Sequence, residues 1–265
     1  MRLMSIASGS SGNCIYVGND NTHILIDTGI SKKRVEEGLK QLELSPDDLK
    51  GIFITHEHSD HISGLGVLSR KYNVPIYSTR ETIKAIKAYE SLGRINEELF
   101  VEVEPDTSVT IEDLTVRPFS ISHDAVNPVG YRVEDKASKV AVATDMGTYN
   151  DYIVENLTGL NGLVLEANHD IRMLQTGTYP YSLKQRILGN KGHLCNEMAG
   201  RLLDIILNEN MKKVFLGHLS KENNYEELAY ESVRMEINLS ESAYKADDFD
   251  IAVAKRDVPS EWVEV

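Results

Sequence analysis

The sequence predicts an α/β protein in which two β-sheets are flanked by helices. Short apolar segments of the strand type, such as Ile24-Leu25-Ile26, alternate with longer segments of helical periodicity. In the first helical segment, Ser31–Leu42, the side chains of Val35, Leu39 and Leu42 share one face. The chain has 265 residues, of which 41% are hydrophobic, so it can bury a large core. This alternation is typical of sheets that are covered by helices.

The first half of the chain is predicted to be rich in strands. The predicted strands are Leu3–Ala7, Cys14–Val17, Thr22–Asp27, Ile52–Thr55, Val74–Tyr77, Ser108–Ile111, Leu114–Ser120, Val129–Glu134 and Val140–Thr144. Helical segments between them are predicted at Ser31–Leu42, around Ser45–Asp48, at Leu65–Tyr72 and at Thr79–Leu92. Ser45 suits an N-cap, and Pro46 suits the first helical position because its missing N–H costs no hydrogen bond there.

The second half continues the same alternation. Helices are predicted at Leu183–Leu188, Glu197–Asn208 and Tyr225–Ile237, and strands at Leu163–Glu166, Val214–Gly217 and Phe249–Ala254. There is no internal repeat, low-complexity linker or change of composition along the chain. We therefore expect a single domain that spans residues 1–265.

Charge and cysteine content limit the possible partners. The net charge is −13, which argues against a surface that is basic overall, so any polyanion would have to be held locally. Cys14 and Cys195 are too few for a disulfide framework. The N-terminus lacks a signal-peptide pattern, and no segment has the length needed to cross a bilayer. We expect a reduced, cytoplasmic protein with no membrane partner.

The segment Thr55–His61, T-H-E-H-S-D-H, carries the strongest chemical signal in the chain. A strand would point successive side chains to opposite faces, so we expect a tight loop to aim them at one point. Imidazole nitrogens and Asp oxygens are common ligands of divalent metals. His56 and His58 would serve one ion, and Asp60 and His61 would serve a second. A polar loop with incidental histidines is the alternative interpretation.

Four more polar residues follow apolar segments of the strand type: Asp27, His123, Asp145 and His218. Taken singly, each is more often a turn or capping residue than a ligand. Strand ends are, however, where a rigid scaffold gathers functional side chains from distant parts of a sequence. The repeated pattern therefore favours one shared metal site.

Together, these residues resemble the metallo-β-lactamase superfamily, from residue 3 to about residue 254. The resemblance implies an αββα sandwich with a dinuclear metal site at the edges of the sheets. It implies that one ion is held by His56, His58 and His123, that the other is held by Asp60, His61 and His218, and that Asp145 bridges the two. Asp27 would hydrogen-bond the ligand loop without touching a metal. Zinc and manganese are both compatible with such a set of His and Asp ligands.

Three features narrow the resemblance to one branch of the superfamily. β-Lactamases of this superfamily have cysteine where Asp145 stands, whereas a bridging carboxylate resembles the hydrolases of phosphodiesters and thioesters. Only 73 positions separate Asp145 from His218, which leaves little room for the cap domain that some nucleases carry there. Three local segments resemble the YycJ (WalJ) branch: Ser8–Asn13, His123–Ala125 followed by Asn127-Pro128, and Gly217–Ser220 with Asn223-Asn224. That resemblance implies a 5′-to-3′ exonuclease on double-stranded DNA, with DNA preferred among nucleic acids as its partner.

A basic segment supports a nucleic-acid substrate. Residues 171–196 contain no Asp or Glu, and they include Tyr179 and Tyr181. The basic side chains of this segment are Arg172, Lys184, Arg186 and Lys191. Basic residues interleaved with aromatics can follow a phosphate backbone and stack bases, so we predict that Lys184, Arg186 and Lys191 contact substrate. An ordinary solvated segment with inward-packed tyrosines is the alternative.

Two further features have open interpretations. The Ser/Gly-rich segment that contains Ser8, Ser10, Ser11 and Asn13 could turn hydroxyl and N–H groups toward a phosphate, or it could be a flexible hairpin. His193 precedes a predicted helix, where it could bind or protonate a phosphate oxygen. It could equally be a residue of the capping region without a chemical role.

The predicted reaction is hydrolysis of a phosphodiester by a metal-bound hydroxide, because two divalent ions lower the pKa of a shared water. Asp60 would orient the nucleophile, and His193 would stabilise the phosphate or assist the leaving group. Alternatives are a small-molecule hydrolase acting on a thioester, lactone or small phosphodiester, an RNA-processing nuclease, and a metal-binding module without catalysis. The sequence leaves the metal, the exo or endo mode and the oligomeric state open.

Overall fold

The computed structural model describes all 265 residues and contains two seven-stranded sheets. Numbered along the chain, the first sheet comprises β1 (Arg2–Ala7), β2 (Cys14–Gly18), β3 (His23–Ile26), β4 (Leu49–Phe53), β5 (Ile76–Ser78), β6 (Phe100–Glu102) and, beside β1, β14 (Val263–Glu264). Pairing is antiparallel from β14 through β1 and β2 to β3, and parallel from β3 to β6. The carboxyl ends of β3 and β4 therefore lie at the same edge.

The second sheet follows the same plan. It comprises β7 (Val109–Ile111), β8 (Leu114–Ser120), β9 (Val129–Glu134), β10 (Lys139–Ala143), β11 (Gly162–Glu166), β12 (Lys213–Gly217) and β13 (Ile251–Val253), in this spatial order. Strands β7 to β10 pair antiparallel and β10 to β13 pair parallel. Strands β8, β10, β11 and β12 therefore all point the same way.

Nine helices accompany the sheets. They are α1 (Lys32–Lys40), α2 (Ser59–Ile62), α3 (Leu65–Tyr72), α4 (Arg80–Lys87), α5 (Asp151–Leu157), α6 (Ile171–Thr176), α7 (Tyr181–Leu188), α8 (Asn196–Ile206) and α9 (Glu226–Leu239). Four helices have an N-cap residue whose side-chain oxygen accepts a hydrogen bond from a backbone N–H of the first turn. These N-caps are Ser31 of α1, Thr79 of α4, Asn150 of α5 and Asp170 of α6. None of the helices has the length and apolar character that crossing a bilayer requires.

The core is divided into three layers. Between the sheets, inward side chains such as Leu3 and Phe53 of the first sheet meet Tyr131 and Val164 of the second. A second apolar layer joins the outer face of the first sheet to α1 and α3, and a third joins the second sheet to α5, α8 and α9. The structure is thus an αββα sandwich, which confirms the predicted fold class.

Several elements differ from the sequence-based prediction. The short strands β6 and β14 and the short helices α5 and α6 were not predicted, because segments of two to seven residues show no clear periodicity. The predicted helix Thr79–Leu92 ends at Lys87 and is followed by a separate turn at Glu90–Leu92. The segment around Pro46 is a single 3₁₀ turn that leads into β4.

Candidate metal centre

The side chains of the candidate centre leave the ends of neighbouring strands at one edge of the sandwich. Asp27 follows β3 and His56 follows β4, while His123, Asp145 and His218 follow β8, β10 and β12. These five strands end at the same edge, so residues that are far apart in sequence meet there. All five side chains are buried, between 0% and 3% exposed.

The segment after β4 is partly helical rather than a loop throughout. Residues Ser59–Ile62 form α2, and this single turn brings Asp60 and His61 back toward His56. The close approach depends on Gly29, since a Cβ atom there would lie 1.6 Å from the carbonyl oxygen of Asp60. A side chain at position 29 would therefore displace the turn that carries two candidate ligands.

Three residues of the centre have left-handed backbone conformations. The φ angles are 61° at Asp27, 59° at Asp145 and 55° at His218. Non-glycine residues rarely adopt positive φ, and such conformations cluster at functional sites because they re-aim a side chain at the end of a strand. Sequence patterns give no signal for this feature beyond the tolerance of Asp and His for it.

The candidate ligands form four overlapping groups, and each group offers ligand atoms within 4.8 Å of one another. Two of the groups are His56 with His58 and His123, and Asp60 with His61 and His218. The other two contain Asp145, one with His56 and His61 and one with Glu166, His193 and His218. Oδ2 of Asp145 lies 3.2 Å from Nε2 of His61. Oδ1 of Asp145 lies 3.5 Å from Nε2 of His218 and 3.8 Å from Nε2 of His123. The structure thus brings together all seven side chains that the resemblance implied.

Two buried polar atoms of the clusters lack hydrogen-bond partners. They are Nε2 of His56 and Oδ2 of Asp145, which lies 3.2 Å from His61 Nε2 but makes no hydrogen bond with it, since His61 donates from Nδ1 to Asp27. A buried imidazole nitrogen or carboxylate oxygen without a partner costs about 1–3 kcal/mol, or more for a charged group. A bound divalent cation would satisfy both atoms, and nitrogen with carboxylate oxygen is a donor set that zinc and manganese accept. The residues present therefore fit metal ions.

A carboxylate that the sequence analysis assigned only to a strand supports the centre from behind. Glu166, at the end of β11, is fully buried, and its Oε1 accepts from Nδ1 of His193 (2.8 Å) and of His218 (2.9 Å). Its Oε2 accepts from the backbone N–H groups of Met146 (2.7 Å) and Leu194 (3.0 Å). Burial raises the pKa of Glu166, but His193 beside it outweighs burial and holds the pKa at about 2. The position of Glu166 at the end of an apolar strand was the sequence feature that could have indicated its place in the centre.

Asp27 has the corresponding role on the other side. Its carboxylate accepts from His61 Nδ1 at 2.7 Å and from the backbone N–H of Thr55 at 2.9 Å. The Nδ1 atoms of His61 and His218 thus carry their protons toward carboxylates, which leaves each Nε2 atom free to bind a metal. Similarly, Nδ1 of His123 donates to the carbonyl oxygen of Gly192 at 3.0 Å.

The density of charge shifts several pKa values. Burial disfavours the imidazolium form of His218, but the carboxylates of Asp145, Asp60 and Glu166 outweigh it and raise its pKa to about 10. Burial likewise disfavours the charged form of Asp60, and the neighbouring histidines outweigh it and lower its pKa. For His56, burial dominates and lowers the pKa well below the usual value. Protons on histidines thus offset the carboxylates, a role that bound cations would take over.

Comparison with known proteins identifies the family. Residues 22–214 match the family model described as the Beta-lactamase superfamily domain. The chain is 43% identical over 229 residues to Exodeoxyribonuclease YycJ of Bacillus anthracis, covering 86% of each chain. The chain belongs to the metallo-β-lactamase superfamily. It is 40% identical to Exodeoxyribonuclease WalJ of Streptococcus pneumoniae over 225 residues, which is 85% of this chain and 84% of that protein.

Two solved structures share the fold of this chain. Zn(2+)-bound PqqB from Methylobacterium extorquens superposes with a TM-score of 0.74 at 14% identity, with 100% of both chains covered. The metallo-β-lactamase fold protein YhfI from Bacillus subtilis gives a TM-score of 0.69 at 17% identity, with 98% of this chain and 99% of that chain covered. As a member of this superfamily, the protein is a metal-dependent hydrolase.

Two residues predicted to bind substrate are buried and contact the candidate ligands His218 and His61. Ser8 is 2% exposed, and its hydroxyl accepts from the backbone N–H of His218 at 2.8 Å. Asn13 is also 2% exposed, and its amide nitrogen lies 3.2 Å from His61 Nε2. Both side chains therefore hold the candidate centre in place, and their contact with substrate stays a prediction. Predictions for a Ser/Gly-rich segment could not distinguish phosphate contact from packing against a ligand loop.

The remaining residues of that segment lie at its exposed tip. Ser10 donates to the carbonyl oxygen of Leu219 at 3.4 Å, and Ser11 accepts from the guanidinium of Arg256 at 3.2 Å. These contacts tie the tip to the segment after His218. The two hydroxyls remain at the surface near the centre.

The basic residues of segment 171–196 have three different environments. Lys184 donates to the carbonyl oxygens of Gln175 (2.8 Å) and Gly177 (2.7 Å) and so closes the α6–α7 turn, while its contact with substrate stays a prediction. Arg186 forms a two-point ion pair with Asp124, beside the candidate ligand His123. Lys191 is exposed and makes no ion pair.

Proposed function

We propose that the protein is a 5′-to-3′ exonuclease that hydrolyses double-stranded DNA at a dinuclear metal centre. The observation that carries this proposal is the 43% identity, over 86% of both chains, to a protein named Exodeoxyribonuclease YycJ. Two groups of candidate ligands, one with His123 and one with His61 and His218, lie within 4 Å of the Asp145 carboxylate, which supports a centre with two ions. Zinc or manganese would fit these donors.

The proposed ligands divide into two sets. His56, His58 and His123 would hold one ion, Asp60, His61 and His218 would hold the second, and Asp145 would contact both. When bound, the ions activate water as a nucleophile at neutral pH and stabilise negative charge on the phosphate. They also reverse the repulsion that the carboxylates alone would exert on a phosphodiester.

Asp60 is the proposed residue that orients the attacking water. Its side chain is 21% exposed, while the neighbouring His61 and His218 are almost fully buried, so it lies where the centre meets solvent. Its Oδ2 is 3.2 Å from His218 Nε2 and 3.4 Å from His61 Nε2. These neighbours fix the carboxylate, so its second oxygen can accept a hydrogen bond and then a proton from the water.

His193 is the proposed residue for the leaving group. Its Nδ1 donates to Glu166, its side chain is 16% exposed, and its Nε2 has no partner in the protein. Because Glu166 holds Nδ1, the Nε2 atom is the one presented to substrate, where it would contact a phosphate oxygen or the departing oxygen of the DNA. Glu166 would therefore act on the reaction through the orientation of His193.

Contacts to DNA beyond the centre are assigned to Arg186, Lys191, Ser10 and Ser11. Arg186 keeps part of its guanidinium free of Asp124, and its side chain is 51% exposed. Tyr181 is 77% exposed on the same helix, where its ring could stack on a base. Local positive charge of this kind is required because the protein as a whole carries −13.

We extend the proposal to the organisation of the chain. The three apolar layers lie between and on the outer faces of one pair of sheets, which supports a single domain over residues 1–265. Both cysteines are free thiols, which supports a reducing compartment such as the cytoplasm.

The experiment that tests this function is digestion of 5′-phosphorylated, end-labelled double-stranded DNA with manganese or zinc, with products resolved by length. Wild-type protein should release nucleotides progressively from the 5′ end. Asp60→Asn should abolish release while the protein remains folded. Asp20→Asn is the matched control, because Asp20 is 84% exposed on the β2–β3 turn at the opposite end of the strands.

The possible products discriminate between the alternatives. Internal cuts would refute exonucleolytic action, and loss of a 3′ label first would refute the polarity. No cleavage of DNA by metal-loaded protein would refute the function, and RNA, thioesters and small phosphodiesters would then be assayed with the same pair of variants.

A further inference from the structure

A cleft of about 430 Å³ opens beside His123, between residues 120–128, residues 148–153 and Lys191. We propose that this cleft binds the terminal nucleotide of the strand being cut, with its base on Tyr149 and its terminal phosphate at Lys191. The inference rests on the proposed function and deepens it, because it states how the enzyme would recognise a strand end. The volume lies within the range of about 300–1,000 Å³ that small-molecule pockets occupy.

The position of the cleft connects it to the metal centre. His123 lines the cleft and belongs to the cluster with His56 and His58. Lys191 precedes Gly192, whose carbonyl oxygen accepts from His123 Nδ1 at 3.0 Å, so the basic wall of the cleft is attached to the centre. A nucleotide in the cleft would thus lie directly beside the proposed site of hydrolysis.

The walls of the cleft are held by hydrogen bonds between separate segments. Ser122 donates to the carbonyl oxygen of Asn190 at 2.8 Å, and its own carbonyl oxygen accepts from the N–H of Gly147 at 2.8 Å. On the other side, the hydroxyl of Tyr152 accepts from the N–H of Ser120 at 3.0 Å. Walls fixed in this way favour a preformed site, which binds without a large ordering cost.

The charge of the cleft suits a phosphate. None of its 14 lining residues is Asp or Glu, although the protein carries a net charge of −13. Lys191 lines the cleft and has no carboxylate partner, so its ammonium group is available to an anion. Carboxylates that contact the lining from outside are already engaged, since Glu57 accepts from the N–H of Val126 and Asp124 pairs with Arg186. The ammonium group of Lys191 is therefore left for an anionic ligand.

The aromatic wall suits a base. Tyr149 lines the cleft, is partly buried, and packs one side against the apolar layer beneath the second sheet. Its hydroxyl makes no hydrogen bond within the protein, in contrast to that of Tyr152. A ring that is fixed from behind offers its exposed part for stacking, and every base has a face that can stack, so this contact is tolerant of sequence.

The arrangement explains exonucleolytic action in physical terms. If the first nucleotide occupies the cleft, the bond that follows it lies at the centre, and each reaction releases one mononucleotide. A continuous strand would lack the terminal phosphate that pairs with Lys191. The cleft would therefore favour a 5′-phosphorylated end over a 5′-hydroxyl end.

The test measures binding of dTMP and of inorganic phosphate to metal-loaded protein by titration calorimetry. Tyr149→Leu, which keeps apolar volume but removes the ring, should weaken dTMP binding at least about fivefold and leave phosphate binding unchanged. Lys191→Met should weaken binding of both about tenfold. Lys136→Met is the matched control and should change neither, because Lys136 is an exposed lysine in the β9–β10 turn at the other end of the sheet.

The same proteins are then assayed on 5′-phosphorylated and 5′-hydroxyl DNA. Wild-type protein should prefer the phosphorylated end, and Lys191→Met should lose that preference. If wild-type protein degrades DNA but dTMP binding is the same in both cleft variants, this inference is wrong and the proposed function stands. If no DNA is degraded, the proposed function fails, and the dTMP titrations decide separately whether the cleft holds a nucleotide.

Discussion

Replacing Glu166 by glutamine should disable the metal centre although the side chain touches no proposed substrate. The carboxylate accepts four hydrogen bonds, two at each oxygen. The two donors at Oε2 are backbone N–H groups, which cannot become acceptors. The amide –NH₂ of glutamine must therefore face the Nδ1 atoms of His193 and His218, where both contacts become donor against donor as long as those atoms carry protons.

The cost of that conflict can be worked out from the chemistry of imidazole. A buried donor without an acceptor costs about 1–3 kcal/mol. If His218 instead loses its proton at Nδ1, the proton moves to Nε2, which is the atom proposed to bind metal. Either route weakens the second metal site, and loss of such supporting partners typically costs about 10–100-fold in metal affinity or activity. We expect Glu166→Gln to lose metal affinity in this range.

The assay is competition of wild-type and variant protein against a chromophoric chelator for zinc or manganese, with circular dichroism to confirm folding. Glu102→Gln is the matched control, because Glu102 is 49% exposed in a surface ion pair with Arg80 and belongs to none of the groups of candidate ligands. Metal affinity within about twofold of wild type in a folded Glu166→Gln protein would refute the reasoning. Equal losses in both variants would also refute it.

Three other predictions follow from the site. Gly29→Ala forces a Cβ atom against the Asp60 carbonyl and should lower the free energy of unfolding by about 3 kcal/mol or more. Gly159→Ala meets no atom within 4 Å and should lower it by only about 1–2 kcal/mol, because of the positive φ angle at position 159. Urea unfolding measures both costs, and equal costs would contradict the steric argument. Arg186→Gln should weaken DNA binding and reduce the number of counterions released on binding, measured from the salt dependence of the affinity, by about one. Hydrolysis of bis(p-nitrophenyl) phosphate should stay unchanged, and a parallel loss of both activities would count against a DNA contact. Metal affinity should rise between pH 6.5 and 8.5, because the pKa of His218 is raised to about 10 and a metal ion must displace a proton from this histidine. Calorimetry in buffers of different ionisation enthalpy should detect the released proton, and the absence of proton release would exclude this competition.

Glu166 and the Ser8 hydroxyl illustrate where sequence reasoning stops. Glu166 ends an apolar strand in the same way as the proposed ligands, but sequence cannot tell whether a carboxylate faces a metal or the histidines behind it. Ser8 lies in a segment rich in Ser and Gly, which suits both phosphate contact and tight packing. The structure assigns it a hydrogen bond from the backbone of His218, 210 positions away in the chain. Such long-range partners leave no local pattern.

The sequence by itself determined the fold class and the set of clustered side chains. Strand and helix periodicity, together with the spacing of the T-H-E-H-S-D-H segment, are local properties that each short segment carries on its own. Tertiary structure alone decided which side chains meet, because parallel strands bring their carboxyl ends to one edge regardless of sequence distance. It also decided the positive φ angles of Asp27, Asp145 and His218, since only the surrounding packing can hold a non-glycine residue in that conformation.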